Sequence, residues 1–125
     1  MDAKICLDTD ISIEILKNTD KGNNFVASIS DRDVFISSIS VFELYLRETN
    51  IFAVEKLVAK TDVLEFSDLC AKKAAEVFKE LKKRGITVPF RDLFIASTAI
   101  INGCALATLN VKDFKNIKDL KLLEF

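Results

Sequence analysis

The chain has 125 residues, half of them apolar and 30% charged, with 18 basic and 19 acidic side chains and a formal net charge of −1. That length fits one domain with its own core, spanning residues 1–125, and the near-neutral balance speaks against indiscriminate binding to a phosphate backbone, which leaves a strongly basic footprint. With no histidine, Ser-His and Cys-His dyads and histidine metal sites are excluded.

Short apolar runs alternate with helical periods, the pattern of an α/β fold. A first strand is predicted over 3–8, ending Ile5-Cys6-Leu7-Asp8. A helix starts near Asp10 and carries Ile11, Ile15 and Leu16. Residues 19–24 read as a polar break, followed by a short helix over 24–30 and a second strand over 34–38. Ser40-Val41-Phe42-Glu43 matches a capping box, a serine with a glutamate three residues on, and so predicts a helix start.

A further short helix is predicted over 51–60 and a third strand over 63–66. Ser67-Asp68 caps the longest helix, in which Cys70, Ala74, Val77, Phe78 and Leu81 form one apolar stripe. Lys82, Lys83 and Arg84 complement its negative end, and Gly85 terminates it. The only proline, Pro89, precedes a helix over 91–102 that Gly103 ends. A fourth strand follows over 104–108, and 120–125 reads as a short closing strand. The expected architecture is a mainly parallel sheet of four to five strands with helices on both faces.

Cys6, Cys70 and Cys104 are odd in number and lie in apolar contexts, which predicts free buried thiols in a reducing compartment. No secretory signal pattern and no run of about 20 apolar residues is present, so the expected location is the cytoplasm, away from membranes. The chain has three glycines and no glycine-rich phosphate loop. Chemistry on phosphates would therefore fall to carboxylates and a divalent ion, and oxygen-only ligation points to Mg²⁺ or Mn²⁺.

Four acids recur at strand ends or helix starts: Asp8, Glu43, Asp92 and Asp113. In a parallel α/β sheet those positions share the edge at which ligands bind. Each acid also has a plainer reading. Asp8 could cap a helix, Glu43 could complete the capping box, and Asp113 could be a solvated loop acid with Asn110 in its place. Asp92 opens an almost wholly apolar helix. Its charge needs compensation there, from a metal ion or from Arg91; Arg91 could equally contact a phosphate.

The motifs around these acids resemble those of the PIN domain, in particular the toxin nucleases of VapBC-type toxin–antitoxin pairs. The matching segments are Leu7-Asp8-Thr9-Asp10-Ile11, Ser38 to Leu44, Arg91 to Ala96 followed by Gly103, and Leu106 to Phe114. The resemblance implies a PIN-like fold and a Mg²⁺- or Mn²⁺-dependent endoribonuclease. It implies Asp8 and Asp92 as principal metal ligands, Glu43 as a ligand or the group orienting a water, and Asp113 or Asn110 at the fourth position. Thr9, Thr108 and Asn110 would support these groups by hydrogen bonds, and Arg91 and Lys112 would meet the RNA. An antitoxin protein as partner and a homodimer are also implied, with the antitoxin filling a groove near Phe42, Tyr45, Leu46, Ile51 and Phe52.

Two other readings compete. Asp8-Thr9-Asp10 has the DxD shape of haloacid-dehalogenase-type phosphatases, with Asp8 as nucleophile and Asp10 as acid. The third possibility is a non-catalytic binding module on the same fold. Lys112, Lys115, Lys118 and Lys121 recur every third residue and could form either a solvated face or an RNA track.

Overall fold

Three apolar runs and one weaker one pair side by side as the strands of a single parallel sheet. The computed structural model describes residues 4–125, so Ala3, expected at the start of the first strand, lies outside the described residues. The strands are β1 (Lys4–Leu7), β2 (Asp33–Ser37), β3 (Asp62–Leu64) and β4 (Ala105–Ala107). The helices are α1 (Thr9–Leu16), α2 (Asp20–Ser28), α3 (Ser38–Tyr45), α4 (Ile51–Ala59), α5 (Asp68–Lys83), α6 (Phe90–Ile101) and α7 (Val111–Phe114). The strand order is β3-β2-β1-β4, and every pairing is parallel.

Strand alternation divides the core. Ile5 and Leu7 face one way and pack with Ile11, Phe25 and Ile29, while Cys6 and Leu106 face the other way and pack with Val77, Leu81, Leu93 and Ile95. Thus α1 and α2 cover one face of the sheet and α5 and α6 the other. Ile36, which pairs with Leu7 across the ladder, joins Leu44 and Val54 in a third cluster beneath α3 and α4. All three cysteines are free and buried.

The structure corrects several local expectations. The polar stretch from residue 19 is the first turn of α2, not a break, because the Thr19 hydroxyl accepts the Gly22 N–H at 3.0 Å. The turn comes one residue earlier, at Asn18, whose φ of 57° ends α1. Gly22 allows α2 to approach closely, since a Cβ there would lie 2.4 Å from the Glu14 carbonyl oxygen.

Helix α3 is capped by Ser37, which accepts the Ser40 N–H at 3.1 Å. The capping box at Ser40 does not form, and Glu43 sits in the second turn. Phe66 leaves β3 and packs on Phe94, with ring centroids 4.7 Å apart. Phe78 is 39% exposed and drops out of the buried stripe of α5. The chain after β4 adds the single turn α7, too short to show a period. The tail then makes one parallel bridge, Leu106 to Leu122, instead of a full fifth strand.

Candidate active site

Asp8 follows directly on β1, and its N–H continues the ladder to the Ala107 carbonyl at 2.9 Å. The next residue starts α1, so the Asp8 side chain is held at the sheet edge and buried, 1% exposed. Its Oδ1 accepts the Thr9 N–H at 2.8 Å, and its Oδ2 accepts the Thr108 hydroxyl at 2.7 Å. The cap reading of Asp8 holds, and the cap leaves the side chain at the sheet edge.

Glu43 arrives from α3. Freed from capping, its Oε1 accepts the Thr9 hydroxyl at 2.5 Å, and Thr9 Oγ1 also lies 2.9 Å from Ser40 Oγ. Asp92 arrives in the first turn of α6, where the helix dipole favours an anion. It is buried, 3% exposed. Asp8, Glu43 and Asp92 thus converge from three elements.

What they converge on is Arg91. Its Nη2 donates to Asp8 Oδ1 at 3.2 Å, its Nη1 donates to Asp92 Oδ1 at 2.5 Å, and its Nε donates to Glu43 Oε2. One guanidinium satisfies three carboxylates with three different nitrogens. The sequence singled out Arg91 as a partner for its neighbour Asp92; the links to Asp8 and Glu43 are additional.

Asp113 stands apart from this clamp. It lies in α7 and accepts the side-chain N–H of Asn110 on its Oδ2, so Asn110 and Asp113 are hydrogen-bonded to each other. Asn110 is tied to the site through its backbone, which donates to Thr108 Oγ1 at 3.0 Å. Lys112 is exposed on α7. The periodic lysine track is broken by Lys118, which pairs with Glu80 on α5 at 3.2 Å.

One structural role was invisible in the sequence. Asp10 Oδ1 accepts the Ile11 N–H at 2.6 Å, and its Oδ2 accepts the Leu109 N–H at 3.1 Å and approaches Thr108 Oγ1 at 3.3 Å. Asp10 therefore braces the loop after β4 against α1. The DxD spacing gave Asp10 a catalytic meaning, whereas one of the two backbone donors that engage it comes from 99 positions along the chain.

Burial pushes the Asp8 carboxyl above its ordinary range and the Asp10 charge adds to this, against the pull of Thr108, Arg91 and the Thr9 N–H. Burial also pushes Asp92 up, with the charges of Asp113 and Glu43 in the same sense and Arg91 opposing. Burial alone would weaken the hold of Arg91 on its proton, but the Glu43 hydrogen bond and the Asp8 charge reverse that, so it stays charged. The edge is thus anion-rich and short of positive charge.

A hard divalent cation fits this donor set, because three oxygen-bearing side chains already direct an oxygen each at one positive centre. Among the described residues no three acids are placed to hold an ion as they stand. Thr108→Val should show how far Asp8 depends on its support. Leaving Oδ2 without a donor should cost about 1–3 kcal/mol of stability and lower Mn²⁺ affinity about 10–100-fold. Thermal melts and calorimetry would read both, and unchanged values would remove Thr108 from the site.

A family model described as the PIN domain matches residues 5–120. The chain is 32% identical over 125 residues to Ribonuclease VapC2 of Rickettsia felis, covering 93% of each chain. It is 27% identical over 125 residues to the tRNA(fMet)-specific endonuclease VapC of Shigella flexneri, covering 94% of this chain and 95% of that one. The fold matches VapBC2 of Rickettsia felis, solved bound to a promoter DNA fragment, with a TM-score of 0.85, 26% identity and 98% of each chain covered.

Proposed function

The chain belongs to the PIN-domain family, and from that premise we propose that it is a divalent-metal-dependent endoribonuclease, the toxin of a toxin–antitoxin pair. The observation that carries the proposal is the convergence of Asp8, Glu43 and Asp92 on one cation at the ends of parallel strands. That edge is where ligands bind in open α/β sheets.

In this reading Asp8 and Asp92 hold Mg²⁺ or Mn²⁺, and Glu43 completes the set. When bound, the ion supplies a Lewis acid and a water of lowered pKa for attack on a phosphodiester. Glu43 lies at the mouth of the site with a side chain 24% exposed. The Thr9 hydroxyl fixes one of its oxygens, and the other, which takes Arg91 in the metal-free protein, can orient that water or take its proton once the guanidinium leaves it. Asp113 adds negative charge beside Asp92 and is the fourth acid of the proposal. Lys112 and Arg91 supply positive charge at the rim for the RNA backbone. No side-chain nucleophile is needed, in keeping with a chain that has no histidine.

The test is cleavage of structured RNA by partner-free protein, with initiator tRNA first because a relative bears that specificity in its name. Cleavage should stop on chelation with EDTA, return on adding Mn²⁺, and be absent in Asp92→Asn. Cleavage indifferent to chelation would sink the metal mechanism.

A VapB-like antitoxin is the proposed partner, supported by the likeness to a VapBC complex. The surface of α3 and α4 offers it apolar side chains. Phe42 is 63% exposed, Leu46 62% and Phe52 75%, where the sequence alone would favour core packing for such residues. Large exposed apolar side chains mark interaction sites where they gather in one patch. A homodimer built beside the same surface is part of the proposal. Phe52→Ala should weaken antitoxin binding at least about tenfold, the loss of one aromatic anchor, with RNA cleavage retained. Equal affinity in a calorimetric titration would count against this surface.

A further inference from the structure

We propose that the Arg91 guanidinium is a built-in substitute for the metal ion, and that it must swing out of the acidic cluster before a divalent cation can be held there. The inference rests on the metal-dependent reading above and concerns this chain's own counter-charge.

Three observations carry it. The first is that Arg91 occupies the point of convergence itself: Nη2 takes Asp8, Nη1 takes Asp92 and Nε takes Glu43. A planar guanidinium lies between the three acids, and among the described residues no group of three acids is placed to hold an ion as it stands. A small ion such as Mg²⁺ demands oxygens at about 2.0–2.1 Å, so the two cations exclude each other.

The second concerns which side of the clamp moves. Asp8 keeps the Thr108 hydroxyl and the Thr9 N–H without Arg91, and Glu43 keeps the Thr9 hydroxyl. Their anchors do not depend on the guanidinium. Asp92 has no hydrogen-bond donor other than Arg91 among the described residues, so once released it is free to turn towards an ion.

The third is exposure. The Arg91 side chain is 35% exposed, whereas those of Asp8 and Asp92 are 2% and 5%. Asp8 and Asp92 are buried, and the arginine has a path to water. Uncompensated, these buried carboxylates would strain the metal-free fold. Arg91 relieves part of that strain and in doing so sets a threshold that the ion has to overcome.

Calorimetric titration of Mn²⁺ into wild type, Arg91→Ala and Arg91→Lys tests the clamp. A site closed in nine molecules of ten binds about tenfold more weakly than an open one. Arg91→Ala should therefore bind Mn²⁺ at least about tenfold more tightly than wild type, with Arg91→Lys between them. Equal or weaker binding by Arg91→Ala, with wild-type cleavage still metal-dependent, would overturn the clamp and leave the nuclease reading standing. No Mn²⁺ binding by any of the three would overturn both.

Because Arg91→Ala could fail to fold without metal, the wild type provides a second measurement. The Arg91 Nε–H nitrogen-15 signal, held by Glu43, should move to a solvent-exposed position as Mg²⁺ saturates the site. A signal unmoved at saturation would overturn the proposal.

Discussion

Asp8→Asn should lower metal-dependent RNA cleavage more than about 100-fold and at the same time raise the melting temperature of the metal-free protein at neutral pH. Removing a partner one shell out from a metal costs about 10–100-fold, so removing a proposed ligand should cost more. The opposite sign on stability follows from charge. Asp8 lies with Glu43 and Asp92 around one guanidinium, and burial, with the nearby Asp10 charge, holds its carboxyl above the ordinary aspartate range.

A carboxyl whose folded value is raised binds more protons in the folded than in the unfolded chain between the two values, so stability falls as pH rises through that window. The penalty is absent below the unfolded value of about 3.9 and complete above the raised one. Asparagine never carries it. The variant should therefore match wild type in melts near pH 3.5 and exceed it at pH 7.5. A variant that loses cleavage and also melts lower at pH 7.5 would show that the Asp8 charge supports the fold.

The sheet and both long helices were legible because their signals are local. Ile5-Cys6-Leu7, the Ser67 cap and the Gly103 stop each need only a few neighbouring residues to be read. Asp8 was legible as an edge residue for the same reason. Where two local signals competed, the sequence misled. Ser37 and Ser40 both suit a cap, and the backbone chose Ser37 because β2 ends there. That choice decides the function of Glu43, whose carboxylate turns to Thr9 and Arg91 and not back along its own helix. The first turn of α2 hid in polar residues that serve turns and caps equally.

The Arg91 clamp had no local trace beyond the adjacent Asp92. Its other partners lie 48 and 83 positions away, and only the packing of α6 beside β1 and α3 brings them together. The phosphatase reading failed for a related reason. Its DxD pattern is local, but the Asp10 oxygens are taken by the N–H groups of Ile11 and Leu109, and the chain's family is a different one. The reading as a pure binding module has to explain three acids collected around one cation at considerable electrostatic cost, which a scaffold has no use for.

Deleting residues 120–125 should have the largest effect on stability, and it should reach the site as well. In the order β3-β2-β1-β4, β4 is an edge, and the tail covers it. Leu106 N–H donates to the Lys121 carbonyl at 2.8 Å, and Leu123 N–H donates back to the Leu106 carbonyl at 2.9 Å. Leu120 and Leu122 pack against one side of the core and Leu123 against the other, and Phe125 rests on Phe25 with ring centroids 4.6 Å apart.

Deleting the tail removes two backbone hydrogen bonds from β4 and uncovers apolar side chains on both sides of the core, contacts worth about 1 kcal/mol each. The melting temperature should therefore fall. The bared edge should also promote self-association. Because Thr108 follows β4 and donates to Asp8, loosening this edge should reduce Mn²⁺ affinity even well below the melting temperature. Phe125→Ala alone, at a residue 53% exposed, should do little. A truncated protein with unchanged melting and unchanged Mn²⁺ binding would show that β4 holds its place, and the site its geometry, without the tail.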